Sequence, residues 1–255
     1  MPHAIHLNLD TRALKRPLPS HAIPAVHANV YQWIEQINPD AARMLDAAEG
    51  AKPFTTSPLM HGSGDAWLRL TALDDTLLSL LLEGLDRRPF VRIYDDVLPI
   101  YSRDIVQQTY QDLMHQAGTD VGAVLRFDTP LSFTSKEMDY LLPDPVYVFS
   151  SYLDRWNAFA PEEYRIDEPP AFLDWVRTAV GLSRFELRTE SLKFSKHQLI
   201  GCVGQVQYRV IKVIESTPHA LKMFNVLADY AFFCGTGRKT TQGMGQTTRL
   251  NRWQD

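Results

Sequence analysis

Residues 4–10, AIHLNLD, place Ile5, Leu7 and Leu9 on one side and Ala4 on the other, the alternation of a half-buried strand. Beyond a proline-rich stretch with Pro17, Pro19 and Pro24, the period changes. Val26, Val30, Trp33, Ile34 and Ile37 recur at helical spacing and predict an amphipathic helix over 25–37. Asn38 before Pro39 has the form of an N-cap and a first helical residue, so a second short helix is expected there, closed by Gly50. Segments 54–59 and 66–73 read as two strands joined by a turn through His61, Gly62, Ser63 and Gly64. A leucine-rich helix over 73–85, with Asp74 as its cap, and a strand over 90–98 follow.

The order strand, helix, strand, strand, helix, strand is that of a ferredoxin-like split βαβ unit. The rest of the chain predicts it again: a strand over 121–127, a helix over 146–158, a strand over 185–194, a strand element over 199–213, a long amphipathic helix over 218–233 and a last strand after Gly245. An insertion over 161–178 enlarges this second unit, so the repetition is one of topology rather than of sequence. The expected fold class is α+β, two tandem ferredoxin-like domains over 1–119 and 120–255, with the boundary near Gly118 to Gly122.

Composition supports a packed protein, with 45% hydrophobic and 22% charged residues in 255. Two isolated cysteines, Cys202 and Cys234, read as buried apolar side chains and suit a reducing cytoplasm. The N-terminus lacks the apolar run of a signal peptide, and no stretch approaches a membrane span, so a cytoplasmic location and no membrane partner are expected. Net charge is −4, but it is unevenly placed. Residues 1–176 hold 14 Lys and Arg against 25 Asp and Glu, a net of −11, whereas residues 177–255 hold 12 against 5, a net of +7. A polyanion responds to the local potential, so the basic final third is compatible with a nucleic acid.

That third contains the most specific motif, CGTGRKTTQGMGQT over Cys234–Thr247. Gly235, Gly237, Gly243 and Gly245 surround a basic, hydroxyl-rich centre. Glycines let backbone N–H groups come close to an anion, Arg238 and Lys239 add charge, and Thr240, Thr241 and Gln242 add hydrogen bonds. A Walker P-loop differs, because its lysine follows a glycine directly, and fifteen residues after Thr240 leave no room for a nucleotide-binding domain. A structural glycine turn is the plainer alternative.

With this loop the chain resembles the CRISPR-associated endoribonuclease that excises guide RNAs from repeat transcripts, the sixth of the numbered Cas proteins, in the RAMP superfamily. Its loop has two glycine pairs flanking basic residues, after a helix ending in aromatics such as Phe232 and Phe233. KPFTTSPL at Lys52–Leu59, DTPLSF at Asp128–Phe133, FSSYLDRWNAFAP at Phe149–Pro161 and GCVGQVQYRV at Gly201–Val210 match further family elements in order. The resemblance implies tandem ferredoxin-like domains and cleavage of repeat RNA without metal or cofactor, leaving a 5′-hydroxyl and a 2′,3′-cyclic phosphate. Its implied partners are CRISPR repeat RNA and, beyond that, other effector subunits. An inactive, repeat-binding member and a scaffold subunit remain as alternatives.

Transfer by resemblance places Tyr31 and Lys52 at family site positions, but Asp46 stands where a histidine is usual, six residues before Lys52. His27 lies four residues before Tyr31, on the same helix face, and matches a histidine of some members. The expected site is therefore His27 for proton transfer, Tyr31 beside it, Lys52 near the scissile phosphate, and Asp46 accepting a hydrogen bond from His27 and raising its pKa. The alternative is that His27 merely lines a packed helix. His3, His6 and His21 near the N-terminus, His61 in a turn, and His115, His197 and His219, which show no ligand spacing, read as surface or structural, and Asp74–Asp75 and Asp95–Asp96 as caps or turns. Of the five tryptophans, Trp33 and Trp156 are expected in the core.

Overall fold

The computed structural model describes residues 1–12, 22–61, 66–135, 138–194 and 198–254. The turn expected at 62–64, and His21 and His197, lie outside the described residues. The first sheet starts from β1 (His3–Leu9), whose Ile5, Leu7 and Leu9 are fully buried, as their alternation predicts. Helix α1 (Ile23–Glu35) buries Val26, Val30, Trp33 and Ile34, and the Asn38 side chain caps α2 (Pro39–Ala47) by accepting from the Ala41 N–H. Strands β2 (Phe54–Thr56), β3 (Met60–His61) and β4 (Ala66–Ala72) precede α3 (Asp75–Arg87), which Asp74 caps as expected. Gly84 lets α3 press on α1, since a Cβ there would lie 2.3 Å from the carbonyl oxygen of Trp33.

The single strand expected over 90–98 is a hairpin, β5 (Phe90–Ile93) and β6 (Asp96–Gln107). Tyr94, at φ 55°, turns the chain beside Asp95, and the solvated carboxylates stay outside the core. The sheet runs β2-β4-β1-β6-β5, with β3 also on β4. A helix not read from the sequence, α4 (Tyr110–Gln116), follows; a capping box between Thr109 and Asp112 starts it. Its Tyr110 and Leu113 bury among residues of the second half.

The second sheet is built from β7 (Gly122–Leu131), β10 (Val180–Lys193), β11 (Gln198–Val210) and β12 (Thr247–Leu250) in the order β10-β11-β7-β12. Numbered by succession, both sheets place their main strands second, third, first, fourth, the antiparallel ferredoxin-like order. Between β7 and β10 in sequence stand a small hairpin, β8 (Phe133–Ser135) with β9 (Met138–Tyr140), and helices α5 (Pro145–Phe159) and α6 (Pro169–Ala179), the latter filling the expected insertion. Helix α7 (Pro218–Cys234) is apolar on most sides because it packs against α5, α4 and the sheet. Trp33, Trp156, Cys202 and Cys234 are all buried.

Candidate functional site

Helix α1 turns His27 and Tyr31 to one side, their rings 5.0 Å apart at 65°, and β2 stacks Phe54 on His27 with ring centroids 6.1 Å apart. His27 Nδ1 donates to the main-chain carbonyl of Thr241, 2.7 Å away and 214 residues along the chain. The residue chosen for proton chemistry and the glycine-rich loop therefore meet. The hydrogen bond expected from His27 to Asp46 is replaced by this one. Asp46 is exposed and acts on the ring through its field. Burial pulls the His27 pKa below the ordinary imidazole value, outweighing the Thr241 hydrogen bond and the Asp46 charge that raise it, while Lys52 and Lys239 lower it further. The direction is opposite to the expected one because desolvation exceeds the attraction of one exposed carboxylate. Burial and Asp46 push the Tyr31 hydroxyl up, so it stays protonated near neutrality.

Lys52 donates to the carbonyls of Leu45, Asp46 (3.0 Å) and Ala48, capping the C-terminal end of α2. Its ammonium is thus held where its field reaches His27.

In the loop, Gly235 ends α7 at φ 66°, and a 3₁₀ turn spans Thr240–Gln242. Gly237 and Gly245 permit close backbone packing: a Cβ would stand 2.4 Å from the Ser132 carbonyl oxygen at the first and 1.9 Å from that of Thr236 at the second. Both also have positive φ, 73° and 66°. The N–H groups of Gly235, Gly237 and Gly245 bond internally, to Ala231 O, Ser151 Oγ and Pro130 O. Gly243 packs against Pro58. Arg238 reaches Ser132 Oγ at 3.0 Å and pairs with Asp139 at 2.6 Å. Lys239, at φ 53°, lies 3.4 Å from Gln242 Oε1 and 5.6 Å from the Phe194 ring centroid. Thr240 is buried under Arg155, which also donates to the Gly237 carbonyl at 2.7 Å.

Sequence reasoning passed over the residues that fasten this loop to the first half. Thr56 Oγ1 donates to Thr241 O at 3.0 Å, and Gln246 Nε2 donates to Thr56 O at 3.0 Å. Arg69 Nε donates to Gln246 Oε1 at 2.8 Å and its guanidinium stands 4.4 Å from the Phe232 ring centroid. Burial draws the Arg69 pKa down to about 10. An arginine inside the apolar strand AWLRLTA was the available signal. Nearby, a cavity of about 350 Å³ is lined by His6, Trp67, Arg69, Arg126 and Phe232. Among the described residues no group of three or more His, Cys, Asp or Glu could hold a metal ion, and no helix is long and apolar enough to cross a membrane.

Residues 125–247 match the model of the family CRISPR-associated endoribonuclease Cas6. A Cas6 product complex from Thermus thermophilus is 27% identical, covering 98% of this chain and 99% of that one, with a TM-score of 0.87. Over nearly half its length by the family model, and along its whole length in structure, the chain is similar to Cas6. Thermus thermophilus Cas6 in another structure is 28% identical over 98% of each chain, with a TM-score of 0.76. A further Cas6 product complex, 22% identical over 98% of this chain and 100% of that one at a TM-score of 0.82, shows the fold alone. None of the curated proteins matches. The Cas6 family match contains the glycine-rich loop up to Thr247, and His27, Tyr31, Asp46 and Lys52 lie before it.

Proposed function

We propose that the protein is a metal-independent endoribonuclease that cuts CRISPR repeat RNA in precursor transcripts into guide RNAs. The observation that supports it most is the 2.7 Å bond between His27 and the Thr241 carbonyl, which joins a histidine suited to proton transfer to the basic loop. In the reaction a ribose 2′-oxygen attacks the adjacent phosphorus, the bond from phosphorus to the 5′-oxygen breaks, and the products carry a 2′,3′-cyclic phosphate and a 5′-hydroxyl. His27, neutral near pH 7 because its pKa is lowered, accepts the 2′-OH proton. The departing 5′-oxygen takes a proton from solvent and His27 later releases its own to solvent, so no net proton is consumed. Lys52 and Lys239, whose fields both reach His27, oppose the charge building on the phosphorane, and Tyr31, still a phenol, orients the phosphate by hydrogen bonding. Arg238, Lys239, the Thr241 hydroxyl and the Gln242 side-chain amide face the RNA backbone, while Thr240, buried under Arg155, and Gly235, Gly237, Gly243 and Gly245 hold the loop in shape. The reading takes repeat RNA as the principal partner, with other effector subunits as further ones, and divides the chain into domains at 1–119 and 120–255.

The test is single-turnover incubation of the full chain with its cognate repeat RNA in EDTA. Cleavage to a cyclic phosphate is expected. A strict need for added Mg²⁺ or Mn²⁺ in the chemical step contradicts the mechanism. A repeat-binding, non-cleaving role is the second reading, favoured by Asp46 at the usual histidine position and by the engagement of Lys52 with three carbonyls at the end of α2. Tight binding with no cleavage selects it.

A further inference from the structure

We infer that Thr56 is a positioning residue that, through the Thr241 carbonyl, fixes the tautomer of His27 and leaves Nε2 as the nitrogen that exchanges the proton. The inference rests on the ribonuclease reading for its catalytic consequence, but its structural content does not. A carbonyl oxygen only accepts hydrogen bonds, so the ring nitrogen 2.7 Å from it must carry hydrogen. In the neutral imidazole the hydrogen is then on Nδ1, and the lone pair is on Nε2. The acid form loses its proton from Nε2.

The carbonyl can set the tautomer only if it is itself held in place. Its second lone pair takes the Thr56 hydroxyl at 3.0 Å, and Thr56 is 1% exposed. The main-chain oxygen of Thr56 in turn accepts from Gln246 Nε2, while the N–H of Gln246 donates to Thr129 Oγ1 at 2.9 Å. Gln246 is 2% exposed and its side-chain carbonyl oxygen holds Arg69. Both ends of the loop's contact with β2 are consequently tied by buried polar groups, which are costly to leave unpaired. Phe54, two residues before Thr56 on the same short strand, stacks on the imidazole. One strand therefore fixes both the plane of the ring and the acceptor that chooses its tautomer.

Nitrogen-15 NMR of the uniformly labelled full chain, near neutral pH and without RNA, reads the tautomer directly. We expect a protonated Nδ1 and an unprotonated Nε2 for His27. Thr56→Val keeps the side-chain shape without the hydroxyl; it should convert the signals to a mixture of tautomers and slow single-turnover cleavage by about 2- to 10-fold, as loss of one neutral hydrogen bond does. Thr56→Ser should restore both. An Nε2-protonated ring in the wild-type chain overturns the inference. So does a Thr56→Val protein with a lowered melting temperature but unchanged tautomer and cleavage, since Thr56 would then serve packing alone. If the tautomer and its response to Thr56→Val are as expected while the wild-type chain cleaves no repeat RNA, the positioning inference stands and the ribonuclease reading fails.

Discussion

In the first half, residues 88–89 join the helix that follows the third main strand to its closing hairpin; at the corresponding place in the second half, residues 235–246 join α7 to β12. The strand order around the two connections is the same, so what differs is what the scaffold carries. In the first half the connection is only two residues long, and the residues to which we assign chemistry, His27 and Tyr31, stand on a partly open face of α1. In the second, most of α7 is buried against α5, α4 and the sheet, and the connection at its end supplies charge and a backbone acceptor instead. A shared topology sets the positions of elements, whereas the function depends on which connection was lengthened.

The largest effect is expected from removing the first half's contribution. His27→Ala should lower single-turnover cleavage by about 10²- to 10⁴-fold with RNA affinity nearly unchanged, the range for a lost general acid or base. A folded variant that cleaves at the wild-type rate would assign His27 to packing.

Removal of the loop's shape comes next. Gly245→Ala places a Cβ 1.9 Å from the Thr236 carbonyl oxygen at a positive φ, so the loop must shift. Backbone strain of this kind costs about 1–3 kcal/mol, and the collision adds to it. Thermal melting should show a lower midpoint, and cleavage by the folded fraction should fall because Thr241 moves with the loop. An unchanged midpoint contradicts the packing described for Gly245.

Within the loop, Lys239→Ala should make the slope of log K against log salt shallower by about 0.7 for each phosphate of a single strand that the lysine had neutralised. Arg238→Ala should add a comparable change only as far as RNA displaces the Asp139 pair, and should cost stability because it removes the bonds to Ser132 and Asp139. Equal slopes for the wild type and the double variant would remove both from the RNA surface.

The smallest effect expected is that of Asp46→Asn. The Asp46 charge raises the His27 pKa, so neutralising it lowers that pKa further and moves the acid limb of the cleavage profile to lower pH. A shift upward would show that Asp46 acts by another route.

Much of this arrangement was legible in the chain because it is written locally. The helical spacing of Val26, Val30, Trp33 and Ile34 and the caps Asn38 and Asp74 have the structural counterparts their residue types predict, whereas the loop glycines serve positive φ and close packing, with the N–H groups of Gly235, Gly237 and Gly245 bonded internally. The β5–β6 hairpin was not legible, since its turn rests on Tyr94, a residue seldom found at positive φ. Nor was the partner of His27. A search among side chains proposes Asp46, whereas the acceptor is a backbone carbonyl brought from 214 residues away, and backbone atoms leave no residue-type signature. Thr56 and Gln246 escaped for the same reason, as each matters only once two distant segments are apposed.

Under the proposed mechanism the loop and α1 make one site in which a neutral His27 accepts the proton, and the pH dependence of single-turnover cleavage in EDTA reports on that step. With saturating enzyme, the rate should rise with pH through a midpoint below the ordinary imidazole value and then level, and that limb should be absent in His27→Ala. The same limb persisting at the same pH in His27→Ala, or no cleavage by the wild-type chain in chelator, would contradict it.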